Sequence, residues 1–304
     1  MAVKLQFSIK DLEHLTGVKA HTIRIWEKRY NLLSPQRTDT NIRTYNIESL
    51  KKLLNITLLY NNGLKISKIA SRSEDEIHRL VQEAAADNIE KFTINSFKTS
   101  MYQLDEQLFI KTYVELELHK TFREIFLNIF MPFLMEIGTL WATSSIRTSH
   151  ESFISELLKR KILLNIEKEV HKAKDHEKPL FVLFLPYQEI HELGILYTNY
   201  EILKAGYRTI YLGTNTPLDS LNGLITADSD IIYVSYLTMR PEGKDIHEYI
   251  NIFQDTISND KKSNLWLLGK RSEVSDLNKI PSNISIVQGF PELIDRLERL
   301  KDTP

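Results

Sequence analysis

The sequence predicts a multidomain α + α/β chain: an N-terminal winged helix-turn-helix, a helical bundle, and a C-terminal five-stranded doubly wound parallel sheet. Three observations predict it. Phe7 to Tyr45 reads as helix, glycine turn, helix and a short Arg-rich extended pair. Ile77 to Lys174 carries apolar residues at spacings of three and four, the helical period. From Pro179 onward, short apolar runs alternate with helix-like stretches, the pattern of buried parallel strands with crossover helices.

Phe7, Ile9, Leu12, Leu15 and Val18 form one apolar face of the first short helix and its exit turn. Ser8 is its expected N-cap, with Asp11 closing a loose capping box. Gly17 can take the positive φ of the tight turn that follows. A second helix is expected over 20–28, with Ile23 and Trp26 inward and Thr22, Arg24 and Arg29 elsewhere. In such a pair the second helix enters the DNA major groove. Pro35, Arg37, Arg43 and Tyr45 then mark a two-stranded wing. Residues 1–72 hold 13 Lys and Arg against 5 Asp and Glu, a balance of +8, in a chain whose total is −1. Positive charge gathered at one end is what contact with phosphates requires.

Ile23-Arg24-Ile25-Trp26-Glu27, Leu33-Ser34-Pro35-Gln36-Arg37 and Arg43-Thr44-Tyr45 together resemble the winged-helix domain of the mercury-resistance-regulator (MerR) family of transcription factors. The resemblance covers residues 1–70 or so. It implies operator DNA as a partner, contacted by Thr22, Arg24, Trp26, Arg29, Tyr30, Arg37, Arg43 and Tyr45. Arg24, Arg37 and Arg43 are expected at phosphates or bases. Trp26 is expected to pack, with its indole N–H toward a phosphate, and Glu27 to orient Arg24 or Lys28.

The remaining composition bounds the chemistry. The 304 residues suggest two or three domains, placed here at 1–75, 76–175 and 176–304. The absence of cysteine excludes disulfides, zinc–thiolate sites and iron–sulfur clusters. No apolar run in the sequence approaches the roughly 18 residues of a membrane span. The N-terminus lacks the apolar core of a signal peptide, so a cytoplasmic chain with no membrane partner is expected.

Beyond the wing, 46–60 reads as a helix striped by Ile47, Leu50, Leu53, Leu54, Leu58 and Leu59, stopped by Asn61-Asn62-Gly63. Residues 64–70 suit a short closing helix and 71–78 a linker. Heptads are not sustained after residue 75, so no long coiled coil is expected. Helices are expected over 77–91, 93–102, 105–118, 122–140 and 149–174, with Pro132 kinking the fourth. Strands are expected within 179–186, 208–213, 230–237, 264–269 and 284–289. The stretches 191–205, 217–226, 242–258, 272–279 and 291–301 read as helices. Such sheets bind ligands at the carboxyl ends of their strands.

At those ends stand Glu189-Ile190-His191-Glu192-Leu193-Gly194, Ser235-Tyr236-Leu237 and Gly269-Lys270. They resemble the cobalamin-binding, flavodoxin-like fold, whose motifs are Asp-x-His-x-x-Gly, Ser-x-Leu and Gly-Gly. Glu189 stands where that family has Asp, and Lys270 where it has the second Gly. A carboxylate at 189 would bond the second ring nitrogen of His191. Upstream, Gly138-Thr139-Leu140-Trp141-Ala142-Thr143 and Glu151 resemble the helical cap of the light-responsive, cobalamin-dependent MerR regulators of carotenoid synthesis. The His that follows the Glu in that cap is Ser152 here, and His150 lies about 200° away around a helix.

The resemblance implies cobalamin, in the adenosyl form, as cofactor, with His191 as the metal ligand to cobalt. Cofactor contacts are then Trp141, Glu151, Glu189, His191, Gly194, Ser235, Leu237 and Gly269. It further implies a corrinoid-controlled homo-oligomer, dimer or tetramer, with light as an input; an antirepressor protein is a partner on the alternative reading. The alternative is a MerR-type regulator with a degenerate sensor that answers to a protein or another ligand, favoured by Glu189, Ser152 and Lys270. A corrinoid-dependent enzyme is the third class. The N-terminal winged helix and the lack of a catalytic constellation argue for a non-enzyme.

Overall fold

The computed structural model describes residues 6–87, 89–143, 145–172, 176–222, 230–257, 263–269 and 280–301. They fall into two compact units, Met1–Leu157 and Leu158–Pro304.

The first unit opens with β1 (Gln6–Phe7), α1 (Ile9–Thr16) and α2 (Ala20–Tyr30). The Ser8 side chain accepts from the Asp11 amide while Asp11 accepts from the Ser8 amide, so the capping box forms as read. Gly17 ends α1 at φ 73°. The wing is β2 (Gln36–Arg37) paired antiparallel with β3 (Arg43–Asn46). β3 also pairs with β1, making a three-stranded sheet where two strands were expected. Asn46 caps α3 (Ile47–Asn61), and α4 (Ile66–Ala70) closes the subdomain.

The expected linker over 71–78 is corrected: α5 (Glu74–Asp87) begins inside it. Ser73 and Glu76 cap each other's backbone N–H groups, a second capping box that removes the loop. The bundle continues with α6 (Ile89–Gln103), α7 (Glu106–Glu117), α8 (Phe122–Ile125), α9 (Met131–Ala142) and α10 (Thr148–Val170). Its core is aromatic: Phe97 meets Phe109, Phe130 and Phe133 at centroid distances of 4.8, 5.9 and 5.8 Å. Each such pair adds about 0.5–1.5 kcal/mol to the burial of its rings. Phe7 packs edge-on against Tyr102 of α6 at 5.4 Å, joining β1 to the bundle.

α8 and α9 form one helix interrupted by a π turn over Phe126–Phe130. Pro132 has no N–H to give the preceding turn, and the wider turn just before it absorbs the mismatch. The segment Phe122–Ala142 is apolar enough by composition to count as membrane-length, contrary to the reading of the sequence. Its Phe126, Ile129, Phe130 and Phe133 are nevertheless buried in the bundle, which is why it is apolar.

The second unit holds β4 (His176–Phe184), α11 (Leu193–Lys204), β5 (Tyr207–Tyr211), β6 (Ile231–Tyr236), α12 (Ile246–Thr256), β7 (Asn264–Leu268), β8 (Ile284–Ile286) and α13 (Gly289–Lys301). The sheet is parallel, in the order β5-β4-β6-β7-β8. Chain direction across the sheet therefore reverses between β4 and β6, and the crevice lies at their carboxyl ends. Of the helix expected over 217–226 the structure shows a single 3-10 turn, Leu218–Leu221, and 223–229 lie outside the described residues. Lys270 and the helix expected over 272–279 also lie outside them.

Candidate functional site

α2 presents Arg24 and Arg29 to solvent, with Thr22 and Tyr30 half-buried beside them. On the wing, Arg37 is exposed and donates from Nη1 to Asn41 Oδ1 at 2.6 Å, a bond that holds the β2–β3 turn. Trp26 is buried edge-on against Tyr60 at 5.3 Å, the packing contact expected of it. Tyr45 requires a correction. It is 1% exposed, and its hydroxyl donates to Glu27 Oε1 at 2.5 Å. Burial, and then this carboxylate, push the phenol well above its usual range. The other Glu27 oxygen lies 3.4 Å from Nε of Arg43. Glu27 thus ties helix to wing through Tyr45 and Arg43, in place of the expected Arg24 or Lys28. The exposed cations are left as the surface a phosphate backbone would meet.

The second site sits at the switch point of the sheet. Glu189 is 1% exposed, in the loop after β4. Its Oε1 accepts from the His191 amide at 2.9 Å and faces His191 Nδ1 at 2.7 Å. Its Oε2 accepts from the Thr238 amide at 2.9 Å, the Thr238 hydroxyl at 2.7 Å and the Met239 amide at 3.1 Å. Burial opposes ionisation of this carboxyl. The donors from His191 and Thr238 outweigh burial and hold it down at about 2. His191 itself is 55% exposed and is turned by Glu189 toward the rim. Gln188, at φ 69°, donates its amide to Asn215 Oδ1, and this strained turn sets up the loop. Thr238 is the site residue that reading of the sequence missed. Its only signal was its place directly after Ser235-x-Leu237.

The glycines beside His191 are required by contacts. A Cβ on Gly194 would lie 2.5 Å from the ring of Tyr236, and one on Gly269 would lie 2.4 Å from the Leu237 carbonyl oxygen. Ser235 Oγ is buried with no hydrogen-bond partner among the described residues. Leu237 is fully buried beneath. In the bundle, Trp141 is 59% exposed at the end of α9 and Glu151 is half-buried on α10. Ser152 is exposed. His150 is buried edge-on against Tyr102 at 5.3 Å, the far side that its offset predicts. Burial lowers its pKa, with help from Arg147.

Residues 7–74 match the family described as MerR HTH family regulatory protein, and residues 67–164 match the B12 binding domain. The chain is a transcriptional regulator with a MerR-type DNA-binding domain and a B12-binding domain. The regulator is 24% identical to the HTH-type transcriptional repressor CarH of Myxococcus xanthus, over 73% of its own length and 75% of the relative. It is 22% identical to the HTH-type transcriptional repressor CarA of the same organism, over 82% and 81%. The monomethylamine corrinoid protein of Methanosarcina barkeri superposes with a TM-score of 0.50 at 12% identity, covering 69% of the regulator and 99% of that chain. At that identity the likeness establishes the fold alone.

The residues at the rim suit a corrinoid in three respects. A His with Nδ1 held by a buried carboxylate is the arrangement of a metal-ligating imidazole. The orphan Ser235 hydroxyl has hydrogen-bonding capacity that nothing described uses. Exposed Tyr187, Ile190 and Met239 flank His191 with apolar surface fit for a flat macrocycle. Among the described residues no group of three or more His, Asp or Glu side chains could hold a bare metal ion. One feature runs the other way: the hollow beside Gly194 is taken by the Tyr236 ring.

Proposed function

We propose that the regulator senses a corrinoid, adenosylcobalamin in the first instance, and that the ligand controls its oligomeric state and its grip on operator DNA. The Glu189–His191–Thr238 cluster at the switch point carries this reading. A bound corrinoid would supply a cobalt centre able to exchange a ligand. His191 would hold it. Glu189 stays ionised and holds a proton on His191 Nδ1, which would leave the Nε2 lone pair for the metal. Thr238 fixes Glu189 from the neighbouring strand end. Gly194, Ser235, Leu237 and Gly269 shape the ground around it, and Trp141 and Glu151 are the contacts proposed for the bundle. The ligand must favour one assembly state over another to switch anything. A cytoplasmic location fits this role.

The test is retention of cofactor. The purified chain is mixed with adenosylcobalamin in the dark, freed of excess, and its visible spectrum and elution volume recorded before and after green light. Retained cofactor with an imidazole-ligated spectrum, abolished in His191→Ala, is the expected result. A colourless protein would instead support the second reading, a regulator whose sensor answers to a protein partner or another ligand. The Tyr236 ring beside Gly194 is the observation that favours that alternative.

DNA binding is tested separately. Arg24→Ala is expected to weaken binding to duplex DNA and to lower the slope of log affinity against log salt by about one. An unchanged salt slope would remove Arg24 from the interface.

A further inference from the structure

A cleft of about 340 Å³ opens within the first unit, between α1 and α3 of the DNA-binding subdomain and α6 and α9 of the bundle. Its walls include Leu54, Ile94 and Leu140. Its polar side holds Lys98, Glu136 and Thr57. The Lys98 side chain is 10% exposed and is paired with Glu136, whose own side chain is 45% exposed. Thr57 is buried, and its Oγ1 has no hydrogen-bond partner among the described residues.

A buried ammonium needs a counter-charge, and here that charge hangs from the wet side of the cleft. An incoming carboxylate could take over Lys98 while Glu136 returned to water, so the exchange leaves no buried charge unpaired. The Thr57 hydroxyl would gain the acceptor it lacks. Apolar walls opposite these groups call for an aliphatic tail. At about 30 Å³ per small group, the cleft holds on the order of ten non-hydrogen atoms, within the size range of ligand pockets. We propose that this cleft binds a small aliphatic monocarboxylate, its head on Lys98 and Thr57 and its tail along Leu54, Ile94 and Leu140. There the ligand would brace the helix-turn-helix against the bundle.

Octanoate is the probe, titrated calorimetrically into the full chain. One saturable site per chain is expected, with octanol bound about tenfold more weakly because it lacks the charge. Lys98→Met and Thr57→Val should each weaken octanoate by about fivefold or more. Glu136→Gln keeps the shape of the side chain and an amide oxygen beside Lys98. It removes the competing carboxylate and should tighten binding about threefold or more. No saturable heat, equal binding of octanol, or unchanged or weaker binding in Glu136→Gln would overturn the proposal.

Discussion

Glu189→Ala is expected to destabilise the second unit by roughly 3 kcal/mol at pH 7 and to remove most of its acid sensitivity. The wild-type carboxyl is held at about 2 in the folded chain, against an ordinary value of 4.5. Its folded pKa is depressed, so the unfolded chain binds more protons between these values. The stabilisation is therefore complete above about pH 5 and lost as pH falls toward 2, a span worth roughly 3 kcal/mol. Alanine also strips the Thr238 and Met239 amides of their acceptor, and buried unpaired donors add to the cost. Trp266 on β7 reports on this unit once Trp26 and Trp141 are replaced by Phe. Urea unfolding followed by its fluorescence at pH 7 and pH 3.5 should show a loss roughly 1.4 kcal/mol greater for the wild type than for the variant. Equal losses in the two proteins would mean that Glu189 is not the acid-labile link.

Gly269→Ala is the second variant with a large expected effect, again roughly 3 kcal/mol or more. At φ 94° the backbone disfavours any L side chain, at about 1 kcal/mol or more. The larger cost is contact. The new methyl would sit 2.4 Å from the Leu237 carbonyl oxygen and 2.9 Å from the Leu237 nitrogen, both backbone atoms that cannot swing aside. Moving them strains the Leu237 amide bond to the Leu268 carbonyl, 2.8 Å long, which closes β6 on β7. Gly63 provides the control. Its φ is 89°, but nothing lies within 4 Å of the added methyl, so Gly63→Ala should lose only the backbone part, about 1 kcal/mol. A similar loss at both positions would show that crowding at Leu237 is relieved elsewhere.

What could be read in the sequence was local or periodic. The Ser8–Asp11 box, the Gly17 turn and the five strands follow from spacings of a few residues. The Ser73–Glu76 box carried the same kind of signal and was passed over because the stretch is polar. The contacts that could not be read join distant positions. Tyr45 meets Glu27 across 18 residues, and Thr238 meets Glu189 across 49. Side-chain type alone said that Tyr45 could face DNA as well as the core. Only the β1–β3 pairing, which seats it beside Phe7, decides for the core. At the sheet rim His191 was legible from its motif, whereas the packing of Tyr236 over Gly194 depends on two elements meeting.

The π turn at Phe126–Phe130 makes the length of its helix as important as its composition. A π turn is an α-helix carrying one residue too many. Deleting one residue there would restore regular winding and leave the turns on either side in phase, whereas deleting Pro132, beyond the π turn, would rotate everything downstream by about 100°. Phe133, Ile137 and Leu140 would leave the core, and exposed Met135 and Trp141 would turn toward it. A change of one in the residue count can therefore be absorbed within the π turn, but not in the α-helical turns that follow it. Among chains that share this bundle, the number of residues between Met131 and Trp141 should vary less than their identities do, and any change of one should fall in the π turn.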